Sequence, residues 1–249
     1  MVMPLSASDS WTGAFPRLAR NGILESLAGQ FIGRTCFIIG SGTSVENFNF
    51  GKMSDVDKDY FTITMNMACK IRTATFSVVS DKLAFVKCWM HLKEETRLIT
   101  SEGILKSQAH ASNYDPSSGS TSIGVLAALK KVYGVSFVKN PTGPNEIFHG
   151  NGVLTPSLSI AHLLGAIDCY LVGVDMYRGI SKEYAYDIEK PKSEKLTPFS
   201  SIEDDRYLSP SYDAMIDSVS KNSDRWSGMN VYSTNEFSPI SSIFEYRRI

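Results

Sequence analysis

Four stretches of the sequence place polar, chemistry-bearing side chains directly after short apolar runs. Gly40-Ser41-Gly42-Thr43-Ser44 follows Thr35–Ile39, Asn66 follows residues 60–65, Ser80-Asp81 follows residues 75–79, and Asp175 follows residues 169–174. A glycine-rich turn after a strand lets the backbone approach a phosphate and aims N–H groups at it. This turn is not G-x-G-x-x-G, and it lacks the lysine of a P-loop, so a tight turn without a ligand competes with the phosphate reading. Asn66 can read a base or ribose edge, or end its strand in an Asx turn. Asp81 can bind a ribose hydroxyl, a metal or an amine, or cap the helix that follows it. Asp175 is a ligand contact or a turn residue, and nearby Tyr177, Tyr184 and Tyr186 weigh toward a site, because phenol hydroxyls hydrogen-bond phosphates and the rings stack on bases. His149, in F-H-G-N-G, is the histidine best placed for general-base work, against the plainer reading of a loop residue.

These residues act together only if their strands are parallel neighbours. The apolar runs at 35–39, 60–65, 75–79, 97–100, 135–138, 169–174 and 230–233 read as strands. Helices are expected over 16–28, 83–95, 122–133 (stopped by Gly134), 155–164 (capped by Thr155, with Pro156 in its first turn and Gly165 at its end) and from Pro210 onward, where Tyr212, Met215, Ile216 and Val219 share a face. Continuous apolar strands alternating with helices predict an α/β fold: a mostly parallel sheet with helices on both faces. In such a sheet ligands bind outside the carboxyl ends of the strands, where all four polar stretches fall. The organisation expected is an N-terminal arm (1–33), a nucleotide-binding core (34–175), a polar, tyrosine-containing lid (176–209) and a C-terminal helix and strand completing the core (210–249). Elsewhere His162 is expected in or near the core, with its ring satisfied, and His91 on an exposed helix face.

Composition removes several classes. The 25 Lys+Arg against 26 Asp+Glu leave a net charge of −1, which argues against a nucleic-acid binder. No apolar run reaches 18 residues, so no transmembrane segment is expected. The opening MVMPLSASDSW has no basic stretch leading into an apolar one, so no secretory signal is expected either. Cys36, Cys69, Cys88 and Cys169 form no C-x-x-C, which suits buried thiols in a cytoplasmic protein, and the four histidines form no H-E-x-x-H, so no structural zinc is expected.

The succession of an apolar strand ending G-x-G-x-S, a strand ending in Asn and a strand ending S-D, followed by L-G-(x)4-Y-L-V-G-V-D-M-Y (164–177) and Y-A-Y-D (184–187), resembles the bacterial lipooligosaccharide sialyltransferases that use CMP-sialic acid. It is also similar to the wider set of relatives that includes the archaeal hydroxymethylpterin diphosphokinases. The resemblance runs from about residue 35 to residue 233. It implies one Rossmann-like α/β domain with a lid, a nucleotide-sugar donor and no required metal cofactor. It also implies that Gly40, Gly42 and Ser44 line the nucleotide phosphate, that Asn66 and Asp81 stand where the family has two donor-contacting asparagines, and that Asp175 meets the ribose or base. Tyr177 and Tyr184 match lid tyrosines that stabilise the departing phosphate. Two departures matter. Asp81 is an anion where the family has an amide, and Pro210, in Tyr207-Leu208-Ser209-Pro210-Ser211, stands where the family has its general-base histidine. Another base is then required, from His149, Asp187 or Asp213. The family's Ser/Thr pair before its central helix has no gapless match, and Asn151, Thr155 or Ser157 stands in.

Three functions follow as expectations: a metal-independent inverting glycosyltransferase acting on a glycan or small-molecule acceptor; a Mg²⁺-dependent diphosphokinase or nucleotide-processing enzyme with Asp81 and Asp175 as metal ligands; and a non-catalytic nucleotide- or sugar-binding protein. The oligomeric state, a homo-oligomer included, stays open.

Overall fold

The computed structural model describes residues 23–88, 91–93, 95–109, 132–143, 145–176, 178–179, 197–198, 206–208 and 210–249. Its centre is a nine-stranded sheet in the order β12-β11-β7-β1-β2-β3-β4-β5-β6, parallel at every pairing. The strands are β1 (Thr35–Ile39), β2 (Phe61–Met65), β3 (Phe76–Val79), β4 (Arg97–Ser101), β5 (Val132–Val138), β6 (Glu146–Phe148), β7 (Asp168–Val172), β11 (Asn230–Ser233) and β12 (Glu245–Tyr246). From β1 the chain runs outward through β2 to β6, then returns to lay β7 on the other side of β1. The strand order therefore reverses at the β1–β7 boundary, which is where an open α/β sheet parts its loops and leaves a crevice.

Both faces of the sheet are covered, as the unbroken apolar strands require. Along β1, Cys36 and Ile38 point to one side, where they meet α1 (Ile23–Leu27), α5 (Leu154–Leu163) and α6 (Pro210–Lys221); Phe37 and Ile39 point to the other, against Val45, Met53 and Ala68. Further along the sheet, Leu98 and Val132 pack under Phe85 of α3 (Lys82–Cys88) and Ile104 and Leu105 of α4 (Glu102–Ala109). Each such fully buried Leu, Ile or Phe contributes about 1.5–3 kcal/mol of transfer free energy. All four cysteines are buried and free. Cys36 and Cys169 face each other across the β1–β7 pairing, and burial pushes the Cys36 thiol well above its usual range, which makes it an inert core residue.

Several expectations need correction. Residues 132–134 are not the end of a helix with a glycine stop: they begin β5, because Val-Tyr-Gly-Val-Ser-Phe-Val is a β-branched and aromatic run. Gly134 sits inside that strand because Leu105 packs over it; a Cβ there would lie 2.9 Å from Leu105 Cδ1. Thr155 is not the cap of α5, since the helix starts at Leu154 after Val153. Gly165 does end it, with φ +92. Strand β7 stops at Val172, where Gly173 takes φ +66. The described part of α3 ends at Cys88, so His91 lies past it, half-buried. His162 is exposed, its Nε2 lying 3.2 Å from the Ser227 carbonyl, and not in the core. Within 176–209 the described pieces are β8 (Arg178–Gly179), β9 (Thr197–Pro198) and β10 (Arg206–Leu208), joined in a small antiparallel sheet. Strands of two or three residues carry no readable period. Among the described residues no helix is long and apolar enough to cross a membrane.

Candidate active site

The carboxyl ends of β7, β1, β2 and β3 open into one crevice of about 400 Å³. Four successive neighbours in a parallel sheet must end on the same edge, so the polar residues after them converge. Gly40, Ser41, Gly42, Asn66, Asp81 and Asp175 all line the crevice, and His149 joins them from the turn after β6.

The glycine turn is held from below by the chain leaving β7. Gly40 N–H donates to the Val172 carbonyl at 2.7 Å, and Gly42 N–H to the Gly173 carbonyl at 2.9 Å. A Cβ on Gly40 would lie 2.3 Å from the Gly173 oxygen, and one on Gly42 would lie 2.5 Å from the Asp175 carboxyl. Gly40 is thus required by backbone-to-backbone approach and Gly42 by the Asp175 side chain, and with Ser44 N–H donating to Asp175 three of the turn's N–H groups are already used. On the crevice, Ser41 keeps the N–H group that the turn can offer a ligand. Gly40→Ala is expected to destabilise the fold by about 1–3 kcal/mol, the cost of overpacking a tight contact; a urea melt with unchanged midpoint would contradict this packing.

Asp175 is only 3% exposed and accepts three hydrogen bonds. Oδ2 takes the Ser44 N–H at 2.9 Å; Oδ1 takes the Ser44 hydroxyl and the Asn235 Nδ2 at 2.9 Å. Ser238 Oγ contacts the Val174 and Asp175 carbonyls, at 2.8 and 2.9 Å. The carboxylate therefore ties the ends of β1, β7 and β11 together.

Asn66 adopts φ 46, and its Oδ1 accepts the Ser80 N–H at 3.2 Å, pinning the end of β2 to that of β3. Asparagine tolerates this left-handed conformation, and with Oδ1 engaged its Nδ2 is the group it can present to a ligand. Met176, also on the crevice, has φ 56, a conformation costing a non-glycine residue about 1–2 kcal/mol. Asp81 caps α3, its Oδ1 accepting Ala84 N–H at 2.7 Å, while it stands on the crevice rim. The capping and crevice roles coexist.

His149 is half-buried and stacked on Phe137, ring centroids 5.5 Å apart at 18°. Burial holds its imidazole below the usual value, so the ring is neutral near pH 7 and able to accept a proton.

Other expected residues lie elsewhere. Thr43 and Ser44 face a second cleft beside the crevice. Asn151 is exposed and donates from Nδ2 to the Ala214 carbonyl at 3.0 Å, fastening its loop to α6. Thr155 is buried below the crevice, its Oγ1 accepting Gly150 N–H at 2.8 Å. Ser157 is also buried, bonding the Val153 carbonyl. Asp213 is exposed in the first turn of α6, which Pro210 opens. Tyr177, Tyr184, Tyr186 and Asp187 lie outside the described residues. Sequence reasoning missed Tyr212, Met215 and Asn235 as site residues. Asn235 follows β11 as Asp175 follows β7, so the same strand-end rule finds it once β11 is known to neighbour β7. Tyr212 and Met215 lie on the apolar stripe of α6, whose first turns reach past the core to the crevice.

No family model matches the chain, and no curated protein matches it. Among solved structures it is similar to the MAf glycosyltransferase from Magnetospirillum magneticum AMB-1, at 14% identity and a TM-score of 0.55. The likeness covers 98% of this chain and 39% of that one, so the chain spans well under half of that protein's length. What the two share is a fold, an α/β Rossmann-like sheet covered on both faces.

Proposed function

We propose that the chain is a glycosyltransferase of the sialyltransferase-like kind, transferring a sugar from a CMP- or other nucleotide-sugar donor to a glycan or small-molecule acceptor without a metal cofactor. The observation that carries this reading is the meeting of a neutral histidine with the polar ends of four parallel strands in one crevice at the strand-order reversal. The fold shared with a glycosyltransferase and the sequence resemblance point the same way.

In this reading the Ser41 amide and Asn66 Nδ2 hold the donor's phosphate and sugar. The apolar wall of Met65, Leu154, Tyr212 and Met215 takes the base. His149 removes the proton from the acceptor hydroxyl as its oxygen attacks the anomeric carbon. The bond to the nucleotide phosphate breaks from the opposite face, and the configuration inverts. Tyr177 and Tyr184 would stabilise the departing phosphate, as the resemblance implies, in place of a metal. Asp187 and Asp213 are the alternative bases.

The Mg²⁺-dependent reading fits the donor set less well. All three hydrogen bonds to Asp175 come from the protein, Asp81 gives Oδ1 to a helix cap, and among the described residues no three His, Cys, Asp or Glu converge on a metal position.

Thermal unfolding with CMP, CDP, UDP, GDP and ATP, each with and without Mg²⁺, tests the proposal. A ligand at 100 times its dissociation constant adds about 2.7 kcal/mol, or roughly 5–10 °C for a chain of this size. Stabilisation by CMP without metal is the expected result. Stabilisation only by a di- or triphosphate with Mg²⁺ would overturn it in favour of phosphoryl chemistry.

A further inference from the structure

The Ser44–Asp175–Asn235 bridge has a second cleft on its far side, of about 620 Å³, within the range of small-ligand sites. One wall is the segment 43–52 that follows the glycine turn; the other is formed by residues after β11 and at β12. The crevice and this cleft share the turn itself, since Gly42 lines the first and Thr43 and Ser44 line the second. A molecule seated here lies one turn of backbone from whatever the crevice holds.

The chemistry of the walls selects the occupant. Phe237 and Tyr246 expose 54% and 37% of their surfaces. Around them Lys52 and Arg248 are balanced by Glu46 and Glu236. Two cations against two anions give no net field to attract a nucleotide phosphate or a polyanion. A purely apolar molecule would strip water from those four charges without replacing their hydrogen bonds. A neutral saccharide meets both demands. Each hydroxyl both donates and accepts, matching carboxylates and cations set side by side, and the C–H faces of the rings pack on exposed aromatic surface.

We propose that this cleft is the acceptor subsite for the outer, non-reacting rings of a neutral saccharide, next to the nucleotide crevice in which the attacking hydroxyl meets His149. The assignment rests on the glycosyltransferase reading above, because it is that reading that requires a second substrate within reach of the first. The glycine turn, with Gly42 on the crevice and Thr43 and Ser44 on the cleft, is then the edge over which the acceptor passes from one to the other.

Saturation-transfer NMR on the full chain with cellobiose, N-acetylchitobiose and lactose, with and without CMP, tests this. Saccharide binding is expected, weakened roughly tenfold by Phe237→Ala or Tyr246→Ala, while the CMP dissociation constant changes less than twofold in either. Both side chains are substantially exposed, so the variants keep the fold; circular dichroism verifies it. Absence of any saccharide signal, saccharide binding indifferent to both variants, or CMP binding weakened by them would each overturn the subsite. Failure of the parent reading looks different: saccharides bind and respond to the variants, but no nucleotide stabilises the protein, and the cleft stands as a saccharide site without an acceptor role.

Discussion

Asp175→Ala is expected to lower the stability of the chain by about 3–5 kcal/mol, because three hydrogen bonds to one buried carboxylate are lost together. The change strands the Ser44 N–H, the Ser44 hydroxyl and the Asn235 amide in a site that is nearly dry. Hydrogen bonds to a charged group are worth about 1.5–3 kcal/mol each, and unpaired donors left behind carry a further desolvation cost. Asp175→Asn is expected to cost less, because an amide keeps the shape and one acceptor oxygen but turns an N–H₂ toward donors. Urea unfolding of both variants measures the difference. A pure ligand-contact role for Asp175 predicts the opposite pattern: unchanged unfolding midpoint and lost nucleotide affinity. The bridge predicts that both fall together, since the glycine turn loses its side-chain tie to Asp175 and, through it, to Asn235 after β11.

That dual dependence explains what the sequence could and could not show. The strands were legible because a parallel strand buried on both faces must be apolar throughout, and TCFII and the run around Tyr170–Val172 admit little else. The crevice was legible for a related reason: neighbouring parallel strands end on one edge, so Asn66, Asp81 and Asp175 meet whatever lies between them in sequence. What stayed hidden depends on which loop closes on which. The sequence GSGTS carries a phosphate-binding look, but only the structure shows Gly40 and Gly42 donating to the end of β7. Thr155 reads as a cap because it precedes Pro156, yet its hydroxyl serves the Gly150 amide instead. Val132–Gly134 reads as a helix end because Tyr133 falls on a helical face and a glycine follows; Leu105, far off in sequence, is what makes that glycine a strand residue. The last strands, β6 and β12, are too short to show alternation at all.

His149→Gln is expected to reduce turnover by about 10²–10⁴, the contribution of a positioned general base, with nucleotide affinity largely kept. The pH dependence supplies the sharper test. Burial against Phe137 holds the imidazole below its usual 6.5, and only the neutral ring can take the acceptor proton. The rate should therefore rise as pH increases through that lowered value, stay level through neutrality, and lose this acid limb in His149→Gln. The same shift has a stability consequence of fixed sign. Because the unfolded ring binds a proton more readily than the folded one, the native state is favoured above about pH 6.5 and loses that advantage as the medium becomes more acidic. Phe137→Ala separates this assignment from a base elsewhere. Opening the ring to water should move the His149 titration, followed by NMR, back up toward 6.5, and the acid limb of the rate should move with it. An acid limb that ignores Phe137→Ala and survives His149→Gln would assign the proton to another group, and Asp187 and Asp213 would then be the residues to replace.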